Sequence, residues 1–276
     1  MNIFQAIFLG ALQGITEFLP ISSSGHLVLF EEFFKINAQN LISFDIVLHL
    51  GTSISILIFF RKDLIDIVRN VFNFIFGKIK WKDSPDLMLV VYIVLATIPA
   101  VVVGFIFKDY IELTFRNIKT VSIMFIILSL FFLVSEFIYR KNYKKSNNLT
   151  IWKVLFIGVM QSIALIPGIS RSGSTISAGI ITGIDREKSA RFSFLLAIPV
   201  ILGAGIIIGL KDLVSGDVTN VSISPYFYLI GFLSSFIFGY LSVSFLMKFL
   251  KTRSLLLFSA YLFIVGVSLF SYYSFF

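Results

Sequence analysis

Residues 13–26 read QGITEFLPISSSGH, and they interrupt an apolar stretch that runs from residue 3 to residue 34. That interruption decides the fold. A hydrocarbon core takes about 20 consecutive apolar residues as helix. Here Pro20, three serines in a row, Gly25 and His26 break the run, and neither half is long enough to cross. Irregular polar backbone at membrane depth is tolerated only where protein or a water-filled cavity covers it. The segment is therefore read as a re-entrant hairpin, entering and leaving on one face. A second stretch behaves alike: PGISRSGST at 167–175 breaks the apolar run 151–184.

The rest of the chain agrees with a membrane setting. Of 276 residues, 57% are hydrophobic and 14% charged, against about 25% charged in soluble domains. Mean hydropathy is +0.95. This excludes a soluble globular domain, a disordered tail and a collagen-like fibre. Membrane β-barrel strands alternate apolar and polar residues over segments of about 10, whereas the runs here are continuous and longer. Segments 42–60, 87–107, 121–139, 192–210, 226–249 and 255–276 qualify as spans. The expected fold is an all-α integral membrane protein with six transmembrane helices and two re-entrant helical hairpins. The absence of cysteine removes disulfides, thiolate metal sites and cysteine nucleophiles. The start, MNIFQAIFLGALQGITEF, has no basic region and no A-x-A site, so it is not read as a removable signal peptide.

The net charge of +8 does not point to nucleic acid, because the basic residues flank apolar segments, where they act as topology signals. Alternation from loop 61–86 puts Arg61, Lys62, Arg69, Lys78, Lys80, Lys82, Arg140, Lys141, Lys144, Lys145, Lys153, Arg186, Lys188, Arg191, Lys248, Lys251 and Arg253 on one side. The other side receives Lys35, Lys108, Arg116, Lys119 and Lys211. The first side is cytoplasmic by the positive-inside bias, so both termini face outward. Residues 64–81 interleave apolar and polar positions at helical spacing and are expected to lie along the cytoplasmic interface.

The two broken segments match at an offset of 148: Phe8 with Phe156, Gly10 with Gly158, Gln13 with Gln161, Ile21 with Ile169, Ser22 with Ser170, Ser24 with Ser172, and Gly25 with Gly173. Phe44 with Phe192 and Leu48 with Leu196 continue the match. The chain is read as one membrane domain, residues 1–276, with repeat one at 1–147 and repeat two at 148–276. Each repeat is a hairpin plus three spans. Three is odd, so the repeats are inverted and their hairpins enter from opposite faces. Inverted repeats place polar sites at the repeat interface. The Ser/His turn is therefore expected to face the Ser/Arg turn.

A charge in hydrocarbon costs at least ~2.5–3.5 kcal/mol, so each one is a functional candidate. Glu17 follows Gln13 by one helical turn. His26 follows Ser22, Ser23, Ser24 and Gly25, and Arg171 lies among Ser170, Ser172 and Thr175. Arg offers a planar fork of donors to phosphate oxygens. Backbone N–H groups where a Ser/Gly turn enters a helix bind anions. A diphosphate fits this set better than a neutral solute. His26 can move protons near neutral pH. Glu17 could orient His26, act as a base, or share a divalent cation with Gln13 and phosphate oxygens. Read singly, the serines are helix caps, Glu17 and Arg171 a structural ion pair, and Glu136 with Arg140 an i, i+4 interfacial pair. Asp45 begins or caps a helix. His49 has no nearby polar signature and is expected to be a satisfied intramembrane histidine.

The first motif resembles the [E/Q]-x-x-x-E plus P-x-S-S-x-G-H signature of the bacterial undecaprenyl-diphosphate phosphatase family, the bacitracin-resistance type. The second resembles its P-G-x-S-R-S-x-x-T signature. Motif order, separation and chain length agree, so the resemblance covers essentially the whole chain. Some members carry Glu where this chain has Gln13, which weakens position 13 as an acid, a base or a cation ligand. The resemblance implies hydrolysis of undecaprenyl diphosphate to the monophosphate and inorganic phosphate, recycling the lipid carrier of peptidoglycan synthesis and conferring bacitracin resistance. It implies interlocked inverted repeats, the bacterial plasma membrane, a site opening to the outer face, and a divalent cation, Mg2+ or Ca2+, at Gln13 and Glu17. The expected catalytic residues are Glu17, Ser23, His26 and Arg171. Ser22, Ser24, Ser170, Ser172 and Thr175 would bind phosphate. The expected partners are a long-chain prenyl diphosphate and the membrane, not nucleic acid, with room for a homodimer. Whether Ser23, His26 or a His26-activated water attacks stays open. The alternative is an inverted-repeat transporter or flippase of a phosphorylated lipid.

Overall fold

A computed structural model describes residues 1–33, 42–81, 84–141, 148–215 and 224–275. Lys35, Lys82, Lys144, Lys145 and the expected end of repeat one lie outside the described residues. All regular structure among the described residues is helical: α1 (Ile3–Phe18), α2 (Ser23–Phe33), α3 (Ile42–Phe59), α4 (Arg61–Ile75), α5 (Pro85–Phe115), α6 (Ile118–Lys141), α7 (Ile151–Ile163), α8 (Arg171–Ile181), α9 (Arg186–Ser215), α10 (Pro225–Thr252) and α11 (Leu256–Phe275). Four of these, α5, α6, α10 and α11, are long and apolar enough to cross a membrane. Helix α3 meets that measure together with α4, across a 73° bend. This is the make-up of a multi-pass membrane protein.

Local chemistry explains where the short helices begin and end. Asn2 caps α1: its Oδ1 accepts from the Gln5 backbone N–H at 2.8 Å, while Gln5 Oε1 accepts from the Asn2 N–H at 2.9 Å. Such a capping box satisfies two otherwise orphaned donors. Helix α1 stops before Pro20, because a residue preceding proline is pushed out of helical conformation. Helix α7 ends at Ile163 and passes into tight turns, Leu165 N–H to the Ser162 carbonyl at 3.2 Å and Ile166 N–H to the Ile163 carbonyl at 3.1 Å, ahead of Pro167. Helices α2 and α8 then restart at the serine clusters. Helix α4 buries none of its side chains.

Small residues set the packing. A Cβ at Gly10 would lie 2.5 Å from the Gly231 carbonyl oxygen, and one at Gly14 would lie 2.7 Å from Gly239 N. So α1 presses directly on the backbone of α10. On the other side of the chain a Cβ at Gly158 would lie 2.6 Å from the Ala96 carbonyl oxygen, which sets α7 on α5. Close backbone approach through small residues is how helices associate where lipid removes the hydrophobic driving force. Helices α6 and α11 pair through a reciprocal lock. Ser129 Oγ donates to the Ser259 carbonyl at 2.9 Å, and Ser259 Oγ donates to the Ser129 carbonyl at 2.8 Å.

Glu136 does not pair with Arg140. Arg186, at the start of α9, donates through Nε at 3.0 Å and Nη2 at 2.5 Å, and the Leu255 N–H adds a third bond at 3.0 Å. Glu136 is 1% exposed. A buried carboxylate needs a full set of donors, and a bidentate guanidinium plus a backbone N–H supplies what exposed Arg140 cannot.

Candidate active site

The turn between α1 and α2 and the turn between α7 and α8 touch. A Cβ at Gly25 would lie 3.1 Å from Gly168 Cα, and one at Gly173 would lie 3.2 Å from Pro20 Cβ. Ser172 Oγ reaches the Leu19 carbonyl oxygen at 3.4 Å. Both turns have the same local build. Ser22 Oγ accepts from the Gly25 N–H at 3.3 Å, and Ser170 Oγ accepts from the Gly173 N–H at 3.1 Å. These serines are therefore N-caps, as their position before a helix predicts. Helix α6 backs both turns: Gly25 abuts the Phe125 ring and Gly173 the Phe132 ring.

Across this contact Arg171 Nη2 donates to Glu17 Oε1 at 2.5 Å. Glu17 is 9% exposed, and its other oxygen is equally occupied. Ser23 Oγ donates to Oε2 at 2.8 Å and Gln13 Nε2 donates at 3.1 Å. One carboxylate thus gathers a guanidinium, a hydroxyl and an amide from three places in the sequence. Among the described residues, Arg171 Nη1 is buried with no hydrogen-bond partner, and so is Gln13 Oε1. Two buried polar atoms without partners, a donor and an acceptor, flank the pair. Each costs stability unless something pairs with it.

The remaining expected residues belong to the same two turns and to the helices that follow them. His26 is buried at the start of α2, with Nδ1 2.8 Å from the Ser22 carbonyl oxygen. Ser24 is exposed, and its Oγ meets Ser22 Oγ at 3.3 Å. Ser170 and Ser172 pair at 3.1 Å. Thr175 is turned into the protein: it donates to the Arg171 carbonyl at 2.8 Å and shares a hydrogen bond with Ser193 of α9 at 2.6 Å. It braces α8 rather than lining the pair.

His49 departs from expectation. Its Nδ1 lies 3.1 Å from Gln13 Nε2 and 3.9 Å from Glu17 Oε2, with the side chain 44% exposed. Gln13 Nε2 therefore spends one hydrogen on Glu17 and the other on His49, which is why its Oε1 is left over. The signal was present in the sequence: His49 is an ionisable residue inside an apolar segment, which marks a functional candidate by itself. Tyr261, whose OH lies 2.7 Å from His26 Nε2, carried no such signal. It is one tyrosine among 10, and only the packing of α11 brings it here.

Two serine- and glycine-rich turns, joined through a carboxylate–guanidinium pair, lie among the apolar helices of a multi-pass membrane protein. The chain belongs to the family of the bacitracin resistance protein BacA, whose profile matches residues 6–268. It is 42% identical to an undecaprenyl-diphosphatase of Treponema denticola over 99% of this chain and 98% of that protein. It is 40% identical to one of Carboxydothermus hydrogenoformans, over 98% and 97% respectively. An undecaprenyl-diphosphatase of Methanosphaera stadtmanae is 39% identical over 97% and 96%.

Proposed function

We propose that this chain is an undecaprenyl-diphosphate phosphatase that works at the contact between its two serine turns. It hydrolyses the lipid diphosphate to undecaprenyl phosphate and inorganic phosphate, and so returns the carrier to cell-wall synthesis. The carrying observation is the Glu17–Arg171 pair at 2.5 Å, with Ser23 bonded to the same carboxylate. In our reading the two turns are the tips of re-entrant hairpins. They belong to inverted repeats, residues 1–147 and 148–276, in a six-span bacterial plasma-membrane protein whose site opens outward. The reciprocal packing of α1 on α10 and α7 on α5 supports that reading, as does the shared frame of the turns.

The site chemistry follows from who holds whom. Arg171 has Nη1 to spare for a phosphoryl oxygen, and the N-terminus of α8 adds partial positive charge there. Glu17, which Arg171 also holds, is the base. Ser23 Oγ already donates to that carboxylate. It attacks the terminal phosphorus, its proton passes to Glu17, the bond to the bridging oxygen breaks, and undecaprenyl phosphate departs. Water then forms a bond to phosphorus, and the P–Oγ bond breaks. Ser23 recovers its proton from Glu17, and His26 Nε2 takes the proton lost by the water. His26 is three residues beyond Ser23 on α2, on the same face.

Gln13 turns its Nε2 to Glu17, but its Oε1 is a hard oxygen donor that lacks a partner among the described residues, and the Glu17 carboxylate is a second, one helical turn away. They fit a divalent cation such as Mg2+ or Ca2+. Among the described residues no group of three or more His, Cys, Asp or Glu could hold a metal ion, so phosphate oxygens must complete the shell. When bound, the ion offsets part of the diphosphate charge. Phosphate release by the purified protein in detergent, with a long-chain prenyl diphosphate, tests the assignment. Release is expected and is expected to fall with a chelator. No release under any cation condition would overturn it. Detergent has no two sides, so the assay also separates hydrolysis from transport alone, which the relatives' names do not favour.

A further inference from the structure

Both ring nitrogens of His26 are engaged. Nδ1 lies 2.8 Å from the Ser22 carbonyl oxygen, which can only accept, so Nδ1 carries the hydrogen. Nε2 lies 2.7 Å from the Tyr261 hydroxyl. A doubly protonated ring would be a buried cation, and among the described residues no carboxylate pairs with it. Burial disfavours that form. The ring is therefore neutral, Nε2 holds the lone pair, and the phenol O–H donates to it.

The phenol is placed from outside the hairpin. Tyr261 lies on α11, two residues beyond Ser259, whose exchange with Ser129 locks α11 to α6. At Gly266 a Cβ would lie 2.9 Å from the Ser122 carbonyl oxygen, so the two helices stay close beyond the lock. Helix α6 also supplies Phe125, whose ring centroid is 5.3 Å from that of His26, while the Tyr261 ring lies nearly parallel at 5.8 Å. His26 is thus held on two sides by the α6–α11 pair, and its basic atom is capped at rest.

We propose that Tyr261 is a positioning residue for His26: with the tautomer set by the Ser22 carbonyl, the Tyr261 hydroxyl holds the ring angle, aims the Nε2 lone pair, and yields that atom to the reacting water. The inference rests on the reading of His26 as the base. As Nε2 takes up the water's proton, the phenol hydrogen turns to a neighbouring oxygen, a phosphoryl oxygen or a second water. No bond to carbon or phosphorus changes at Tyr261.

The test uses the full chain, purified, with the variants Y261F, H26A and the double variant, and a long-chain prenyl diphosphate as substrate. Y261F is expected to lower kcat roughly ten- to a hundredfold, with KM within about twofold. Nitrogen-15 spectra of histidine-labelled protein are expected to show the Nδ1–H tautomer of His26 with its Nε2 signal shifted by an accepted hydrogen bond, and to lose that shift in Y261F. In the H26A background Y261F is expected to cost nothing more. An unchanged kcat in Y261F, an unchanged Nε2 signal, or losses that add in the double variant would each overturn the proposal. Wild-type kcat in H26A would instead overturn the reading of His26, with the spectra still reporting on the hydrogen bond.

Discussion

Ser22 and Ser170 do the same work at equal places, 148 residues apart. Each caps a short helix through the N–H three residues on, each meets a second serine hydroxyl, and each is followed by a glycine pressed against a phenylalanine of α6. Gly25 faces Gly168 across the contact, and Gly173 faces Pro20, the equivalent place. The frames match, yet the chemistry does not. The counterpart of Arg171 is Ser23, that of Glu17 is Leu165, and that of His26 is Ser174. One turn carries the acid–base groups and the other the cation. Two like turns give the architecture, and their unlike residues give a single directional site.

The largest effects should come from the residues that break this likeness. Arg171→Ala and Glu17→Gln are each expected to lower kcat by on the order of a thousandfold, since each removes a charge from a buried site. Arg171→Lys, which keeps the charge and loses the fork, should fall between. Near-normal phosphate release by purified Arg171→Ala would dissolve the division of labour. Ser23→Ala should lose activity on a similar scale, together with any acid-stable phosphoryl label on the protein. A label that survives in that variant would move the nucleophile elsewhere.

His49 is a milder case. It touches Gln13 and only approaches Glu17, so His49→Ala should reduce kcat/KM about tenfold or less. A loss as large as that of Glu17→Gln would place it among the reacting groups. Gly25→Ala and Gly173→Ala probe the frame instead. Each new methyl meets a ring at 2.5 Å and the opposite turn just beyond, so each should cost about 1–3 kcal/mol of stability, read as a lower melting temperature. Similar losses are expected, and a large inequality would mean that the turns are not equivalent supports.

The smallest effect separates the two caps. Ser22 adopts φ +72°, a left-handed conformation that a serine tolerates poorly, whereas Ser170 sits at φ −71°. In the second turn the left-handed residue is Gly168, at φ +95°. Replacing a capping serine by glycine costs only a few tenths of a kcal/mol. Ser22→Gly should regain about that much or more from relieved backbone strain, and Ser170→Gly should not. Melting temperatures of the two variants decide it. Strain held at Ser22, beside Ser23, suits a turn that must present a side chain rather than merely close.

Much of this was readable before any coordinates. Apolar runs of spanning length, broken twice by proline, serine and glycine, specify helices and turns locally, because proline and capping serine act within one helical turn of themselves. Glu17, His26 and Arg171 stood out for the same reason, as ionisable groups amid apolar residues. The i, i+4 spacing points Glu136 at Arg140 because it sees only its own helix, while Arg186 arrives from 50 residues away. The polar neighbours of His49 are close in space and distant in sequence.

The order of helices and turns, the apolar character of the chain and the residue types at the two turns were settled by the sequence alone, since each depends on neighbours within a few positions. That Glu17 grips Arg171 across 154 residues, that Ser23 rather than His26 lies on the carboxylate, and that Tyr261 caps His26 were decided only by the tertiary structure. The reason is geometric. Hydrogen bonds form over about 3 Å, and which groups come that close depends on how glycine-lined helices cross, a property no single segment contains.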